Sequence, residues 1–497
     1  MFLVWLFYLP ETEQRGGSMK YDVAIIGGGV VGCLTARALS MSNLKVCVIE
    51  AEADVSTGTS RANSGIVHAG YDAAPGSLKA KFNVEGAAMI PQLAADLGVP
   101  YEQTGSFVVA FDAEDEKQLA LLHERGIANG VETRIISGDE ARKMEPVLCG
   151  DITAALYAPT AGIICPYTLT IAAAENAAEN GVRFLFNSRV TAVSRMEDGF
   201  AIEAGTHRIE ARSIVNAAGI HAGEISALAG GEEIRIRPRK GEYVIFDKSM
   251  AARTKTVIFS APSEKGKGVL FAPTAHGNML AGPTAQFTEM DDTSTSREGL
   301  EEALCGAQRY APSIERRAAI AVFAGLRAAS EKHDFTVEAS ETAPGLINVA
   351  GIESPGLTAS PAIAEYVVKL LDGMGISGAP RQGAVRTRRP IESFAHATPE
   401  RRKELIAMDS RYAHIVCRCE TVTEAEIVEA IHRPCGATTV DGVKFRTRAG
   451  TGRCHGGFCL PRVMDILARE LMTSNLAITK GGPGSPILTG RTKEEQQ

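Results

Sequence analysis

The chain has 497 residues, with 52 basic against 59 acidic side chains, a formal charge of −7, and 45% hydrophobic and 22% charged residues. That length exceeds one typical core and implies two or three domains of ordinary globular composition. The acidic balance and the lack of a dominant basic run argue against nucleic acid as a partner.

Residues 1–9 are apolar, yet too few to span a bilayer, with no basic segment before them and no small-residue cleavage site after them. Met19 falls two residues before the first predicted strand, so 1–18 reads as an extension ahead of the natural start, with weak membrane-surface anchorage as the alternative. No other segment is long and apolar enough to cross a membrane. A cytoplasmic protein with at most peripheral membrane association is expected.

Residues 21–26 form an apolar run ending at Gly27-Gly28-Gly29-Val30-Val31-Gly32; 33–40 reads as a helix, and 45–49 as a second buried strand closing on Glu50. Strand, Gly-rich turn, helix and acid make a dinucleotide-binding unit. Gly27 permits the tight turn, Gly29 lets the backbone approach a pyrophosphate, and Gly32 lets the helix pack on the strand. The helix N-terminus offers N–H groups and a positive dipole end to phosphates. Glu50, 18 residues beyond Gly32, is placed to accept hydrogen bonds from an adenosine ribose. The following loop, 58–70, collects small and hydroxylated residues with neither helical nor strand period. Such a loop lies flat against a ligand.

The pattern then predicts helices over 78–97, 114–129, 137–145 and 166–180, and strands over 105–111, 182–187 and 189–195. Residues 213–219, a buried strand ending in small residues, are expected to return to the first sheet. Strand-rich text from 241 to 282 (243–247, 257–260, 269–273, 279–281) predicts an antiparallel sheet in a second domain. Residues 296–309 and 313–317 read as helical, and 320–327 as a strand presenting Arg327. A second strand and Gly-rich turn, 346–361, precedes a helix over 362–371, whose N-terminus would face the same ligand from the other side. Residues 373–390, rich in Gly, Pro and Arg, read as a linker, and Gly481-Gly482-Pro483-Gly484 opens a loose tail. The fingerprint occurs once and the chain returns to its sheet near Ile214 and Ile347. One dinucleotide held by the whole chain suits a permanently bound FAD better than an exchanging NAD.

Of ten cysteines, Cys417, Cys419, Cys435, Cys454 and Cys459 fall in the last 81 residues, which points to a metal site rather than disulfides. Cys417-Arg418-Cys419 with Cys454 and Cys459 gives four thiolates in two pairs. Soft thiolates suit an iron–sulfur cluster or zinc, and Cys-x-Cys is a poor match to zinc spacing.

The runs Asn63-Ser64-Gly65-Ile66-Val67-His68-Ala69-Gly70, Pro75-Gly76-Ser77-Leu78-Lys79-Ala80-Lys81 and Arg239-Lys240-Gly241-Glu242-Tyr243 resemble FAD-dependent oxidoreductases of the D-amino-acid-oxidase-like superfamily. Within it, they look most like anaerobic-type glycerol-3-phosphate and L-2-hydroxyglutarate dehydrogenases, from Lys20 onward. The resemblance implies an α/β fold: a Rossmann-like FAD-binding domain, an inserted antiparallel-sheet substrate domain (α+β) and a small C-terminal iron–sulfur domain. The expected parts are 1–18 (extension), 19–375 (oxidoreductase), 376–411 (linker), 412–473 (iron–sulfur domain) and 474–497 (tail). Within the oxidoreductase, FAD-binding parts lie near 19–95, 146–220 and 328–375, and substrate parts near 96–145 and 221–327.

By the same resemblance FAD is held by Gly27, Gly29, Gly32, Glu50, Thr59, Ser60, Asn63, Ser64, Gly65, Val190, Ala218, Gly219, Gly351, Gly356, Leu357 and Thr358. Arg327 grips the anionic tail of a small hydroxy substrate. His68 and His276 are candidates for base or substrate contact. The implied chemistry is hydride removal from a carbon bearing a hydroxyl. The sequence shows no dense group of Arg and Lys near His68 of the sort a phosphate dianion attracts, so the substrate stays open between glycerol 3-phosphate, the leading reading, and a 2-hydroxy acid such as L-2-hydroxyglutarate. A relay subunit without an organic substrate is the reading from another class.

Residues 450–459 and the cysteine spacing resemble a bacterioferritin-associated-ferredoxin-like [2Fe-2S] domain, which implies Cys417, Cys419, Cys454 and Cys459 as ligands, helices over 423–431 and 460–471, and no ligand role for Cys435. An attached one-electron carrier gives electrons an exit without oxygen, which favours a dehydrogenase over an oxidase. Arg418, Arg446, Arg448 and Arg453 are expected to ring the cluster with positive charge and dock an acidic partner. The implied partner is a separate redox protein, a second flavoprotein or a quinone-linked subunit.

Overall fold

The computed structural model describes residues 18–250, 254–262 and 268–492, so the apolar stretch 1–9 lies outside the described residues. Strand Met19–Ile26 ends in four consecutive buried residues and pairs in parallel with Val46–Ile49 on one side and His207–Asn216 on the other. An unbroken apolar run is what a strand covered on both faces requires. Leu346–Ala350 adds in parallel beyond His207–Asn216, at Ile214↔Leu346 and Val215↔Ile347. Both expected returns to the first sheet are therefore present. The sheet is completed by Arg183–Leu185, by the antiparallel pair Val190–Met196 and Gly199–Ala204, and by Thr336–Ala339.

Helix Val30–Ser40 starts three residues earlier than the sequence suggested, directly after Gly29, which caps it without a side-chain bond. A Cβ at Gly32 would lie 2.0 Å from the Gly27 carbonyl oxygen, so glycine there sets how closely helix and strand approach. Helix Gly356–Gly373 begins six residues before the expected 362. Pro361, the last residue of the expected turn, lies inside it. The proline removes one backbone donor, and the burial of Ala359, Ile363, Val367 and Leu371 carries the helix through that loss.

Among the described residues the second sheet has nine strands, including Ile236–Phe246, Met279–Gly282, Leu270–Pro273, Val257–Ser260, Ser106–Ala110 and Ala154–Ala158. Most of its pairs are antiparallel; Val257–Ser260 runs parallel to Ser106–Ala110, a departure from the all-antiparallel expectation. Ala319–Ser330 pairs along the whole of Ile236–Phe246. The loop 58–70, expected to be without regular structure, contributes Ile66–Val67 to a small sheet with Gly162–Ile164 and Tyr101–Glu102.

The stretch read as a linker is a docked strap. Asn176 and Asn180 donate to the Val385 carbonyl at 2.9 and 2.8 Å. The buried Glu175 carboxylate takes Arg388 at 2.5 Å and Arg433, from the cysteine-rich module, at 2.7 Å. Helix Pro399–Met408, capped by Thr398, was missed within this stretch. The module itself is a short hairpin, Ile415–Cys417 with Val422–Thr423, and helices Glu424–His432, Val440–Thr447 and Leu460–Glu470. The supposedly loose tail folds back on it: Lys480 pairs with Asp441 at 2.8 Å, and the Asp441 N–H bonds the Lys480 carbonyl.

Three of the four arginines expected to ring the cluster and dock an acidic partner make ion pairs and hydrogen bonds that hold the module in place. Arg446 makes a two-pronged pair with Asp54 at 2.5 and 2.8 Å. Arg448 bonds Glu420, the Tyr167 hydroxyl and the Asn278 side chain. Arg453 pairs with Asp247 through both carboxylate oxygens. Only Arg418 of the four is exposed without such a tie. Among the described residues no helix is long and apolar enough to cross a membrane.

Candidate flavin and cluster sites

One cavity of about 1250 Å³, larger than an ordinary small-molecule pocket, runs between the two large sheets and reaches the cysteine-rich module. Its nucleotide end is built by the first strand and turn. Gly27 has φ +111°, and a Cβ there would strike the Ala217 carbonyl oxygen at 2.4 Å. Glu50, at the end of the second strand, accepts the Gly28 N–H at 2.6 Å and the Glu52 N–H at 2.9 Å, while burial raises its pKa. The Ser60 hydroxyl accepts the Val30 N–H at 2.8 Å, which sets the 58–70 loop against the first turn of the helix. Asn63 then holds the loop flat, donating to the carbonyls of Thr59 and Ser60 and accepting from the Gly65 N–H.

Gly27, Gly29, Glu50, Thr59, Ser60, Asn63, Ser64, Gly65, Val190, Ala218, Gly219, Gly356 and Leu357 all line this cavity, whereas Gly32, Gly351 and Thr358 stand behind its wall. Thr358 is a tie: its hydroxyl accepts the His68 N–H at 3.0 Å and contacts the Ile66 carbonyl at 3.3 Å. Gly351, at φ +68°, leaves room for the Ser330 side chain. Bare glycine backbone, a helix start and an acid at the second strand's end suit an adenine dinucleotide such as FAD.

The other end is set by two paired strands. Arg239 and Arg327 are direct cross-strand partners and therefore share a face. Gly241 follows on that face, and a Cβ there would lie 2.4 Å from Arg327 Nη2, so glycine makes room for the guanidinium. Arg327 donates to the Thr284 carbonyl at 2.7 Å and meets the Tyr243 hydroxyl. Burial, then the neighbouring Arg327, lowers the pKa of Arg239. Lys79 lines the same region, bonded to Glu353 at 2.8 Å. Arg239 and Lys79 lay inside the motifs quoted above without being given a site role. The signal was strand alternation: Arg239, Gly241 and Tyr243 occupy every second position.

His68 sits between Phe259, stacked at 6.0 Å, and the Ser354 hydroxyl, 3.3 Å from its Nε2. His276 lines the cavity at the tip of a hairpin, with Nε2 3.3 Å from Cys165 Sγ and its ring stacked on Tyr167. Burial, reinforced by Arg448, lowers the pKa of His276 to about 3. A group so reluctant to be protonated is a poor base.

In the module, the thiols of Cys419 and Cys454 are 3.7 Å apart, and the free thiols of Cys417 and Cys459 share a hydrogen bond. A Cβ at Gly452 would fall 2.2 Å from the Cys419 Cβ, so glycine lets the two cysteine loops close. The hydrogen bond between Cys417 and Cys459 lowers the pKa of the Cys417 thiol and raises that of Cys459, so the two sulfurs share one proton. Two contacting pairs match a two-iron centre in which each iron takes two thiolates. Cys435 packs instead against the helix Pro166–Glu179, its thiol 4.0 Å from the Ala174 carbonyl. Gly450, Thr451 and His455, flanking the candidate ligand Cys454, form part of the same cavity's wall.

Residues 22–370 match the family described as FAD dependent oxidoreductase, and 415–469 the BFD-like [2Fe-2S] binding domain. The chain belongs to the FAD dependent oxidoreductase family. As a member it is an FAD-dependent oxidoreductase, and its C-terminal part is a [2Fe-2S] domain. It is 46% identical to a glycerol 3-phosphate dehydrogenase of Caloramator mitchellensis over 479 residues, 96% of this chain and all of that one. The FAD-bound L-alpha-glycerophosphate oxidase of Mycoplasma pneumoniae superposes with a TM-score of 0.72 at 30% identity, covering 75% of this chain and 99% of that one. The mitochondrial L-2-hydroxyglutarate dehydrogenase of Bos taurus is 32% identical over 295 residues, 56% of this chain and 63% of that one.

Proposed function

We propose that this oxidoreductase is a dehydrogenase that oxidises the CH–OH group of sn-glycerol 3-phosphate to give dihydroxyacetone phosphate. The observation that carries the reading is the cross-strand pair Arg239 and Arg327. Two guanidinium groups at one register position double the charge at one point, which suits a single phosphate dianion. A dicarboxylate such as L-2-hydroxyglutarate would divide its charge between separate anchors. The likeness to the Caloramator protein, which extends through the cysteine-rich module, supports the same choice.

In this reading Arg327 and Arg239 fix the phosphate, and His68 Nε2 takes the hydroxyl proton as the hydrogen on the same carbon leaves with its electron pair. FAD, when bound, supplies the two-electron acceptor for that hydride. His276, neutral throughout the working pH range, shapes the wall near Arg448 and is not the base. The shared wall at Gly450, Thr451 and His455 supports passage of electrons to the cluster and on to a separate redox protein, a second flavoprotein or a quinone-linked subunit.

The test is anaerobic addition of each compound to FAD-loaded protein. Bleaching of the flavin by glycerol 3-phosphate is expected. Bleaching by L-2-hydroxyglutarate alone overturns the substrate, and bleaching by neither favours the relay reading.

A further inference from the structure

Two cations face the flavin cavity with no acceptor bonded to either. Arg61, next to Ser60 in the 58–70 loop, holds its guanidinium 4.8 Å from the centre of the Phe445 ring, and Lys444 holds its ammonium 5.4 Å from the same ring. Among the described residues neither side chain makes a hydrogen bond or an ion pair. The carboxylates nearest in charge are already taken: Asp54 by Arg446 and Asp441 by Lys480. Burial lowers the pKa of both Lys444 and Arg61, the mark of charges removed from water without a partner.

Their place in the cavity says what they await. Ser60 bonds the Val30 N–H at the start of helix Val30–Ser40, its neighbour Arg61 lies within charge range of Lys444, and Gly29, Val30, Thr57, Gly58, Arg61 and Lys444 all line the cavity. A helix start presents donors to phosphate, and the diphosphate of FAD is the group that lies across such a turn. Arg61 belongs to the flavin-binding half of the chain. Lys444 does not: it stands on helix Val440–Thr447 of the cysteine-rich module.

We propose that Lys444 supplies positive charge to the FAD diphosphate, so that the cluster-bearing module completes the flavin site. FAD binding then draws the module onto the oxidoreductase, and the two are thermodynamically linked. The inference rests on the flavin and not on the identity of the substrate.

The test uses the full-length, iron-loaded chain stripped of flavin. FAD and riboflavin, which lacks the diphosphate, are titrated into wild type, Lys444→Gln and Lys444→Arg. Lys444→Gln is expected to weaken FAD on the order of tenfold or more and to leave riboflavin unchanged, while Lys444→Arg retains FAD within a few-fold. Flavin-free Lys444→Gln should unfold at the wild-type temperature or above, since an unpaired, half-buried charge has been removed. A merely structural lysine would lower that temperature. Equal FAD affinity in wild type and Lys444→Gln, or parallel losses of FAD and riboflavin, overturns the proposal. Failure of the substrate reading is seen separately, as flavin retained and unbleached by glycerol 3-phosphate.

Discussion

Arg239 and Arg327 face each other across neighbouring antiparallel strands, on the side of the sheet that lines the cavity. Like charges so placed repel, and a phosphate bound between them would offset that repulsion. Arg239→Gln and Arg327→Gln are each expected to raise KM for glycerol 3-phosphate by roughly 10- to 100-fold, the worth of a charge-assisted hydrogen bond. Bound FAD should be unaffected. Steady-state kinetics and flavin absorbance check both halves.

The two histidines separate by role. His68→Asn should lower kcat by about 10²- to 10⁴-fold while KM changes little, as expected for loss of a general base. His276→Asn should leave the acidic limb of kcat/KM where it is. That profile, measured for both variants, distinguishes them.

His276 also makes a stability prediction. Its folded pKa of about 3 lies below the roughly 6.5 of an unfolded histidine, so the unfolded chain binds more protons between those values. The contribution of neutral His276 is therefore complete above the upper value and is lost as pH falls through the window, at up to about 1.4 kcal/mol per pH unit. His276→Asn should flatten the acid side of a denaturation midpoint measured against pH.

Much of this was legible because it depends on local backbone geometry. Gly27, Gly29 and Gly32 with Glu50 announce the dinucleotide turn by spacing alone, and Cys417, Cys419, Cys454 and Cys459 are legible as a group of four thiols, although their contacts, Cys419 with Cys454 and Cys417 with Cys459, cross the two pairs that the spacing suggests. What stayed hidden depends on register between distant strands. Arg239 and Arg327 are 88 positions apart, and nothing local says that they are partners. The arginines of the module misled for a related reason: the sequence shows Arg446, Arg448 and Arg453 close together but not that Asp54, Glu420 and Asp247 meet them. Pro361 misled because burial of the helix's apolar face outweighs one missing backbone donor.

The buried pair of Arg446 and Asp54 joins the module to the flavin-binding half. Arg446→Ala leaves the carboxylate without its partner and should cost about 3–5 kcal/mol, as breaking a buried pair does. Thermal unfolding followed at both the flavin and the cluster absorbance measures it.

Cys454→Ser should lose iron and acid-labile sulfide together, while glycerol 3-phosphate still bleaches the flavin. Metal and sulfide assays beside an anaerobic absorbance titration check this. Unchanged iron would remove Cys454 from the ligand set.

In the proposed reaction, reducing power taken from glycerol 3-phosphate passes within one chain to the cluster. Rapid anaerobic mixing of the FAD- and iron-loaded protein with this substrate, followed by flavin absorbance and by the paramagnetic resonance of the reduced cluster, tests it most directly. Flavin bleaching succeeded by cluster reduction, with no acceptor added, is the predicted result. A flavin that bleaches while the cluster stays oxidised would contradict it.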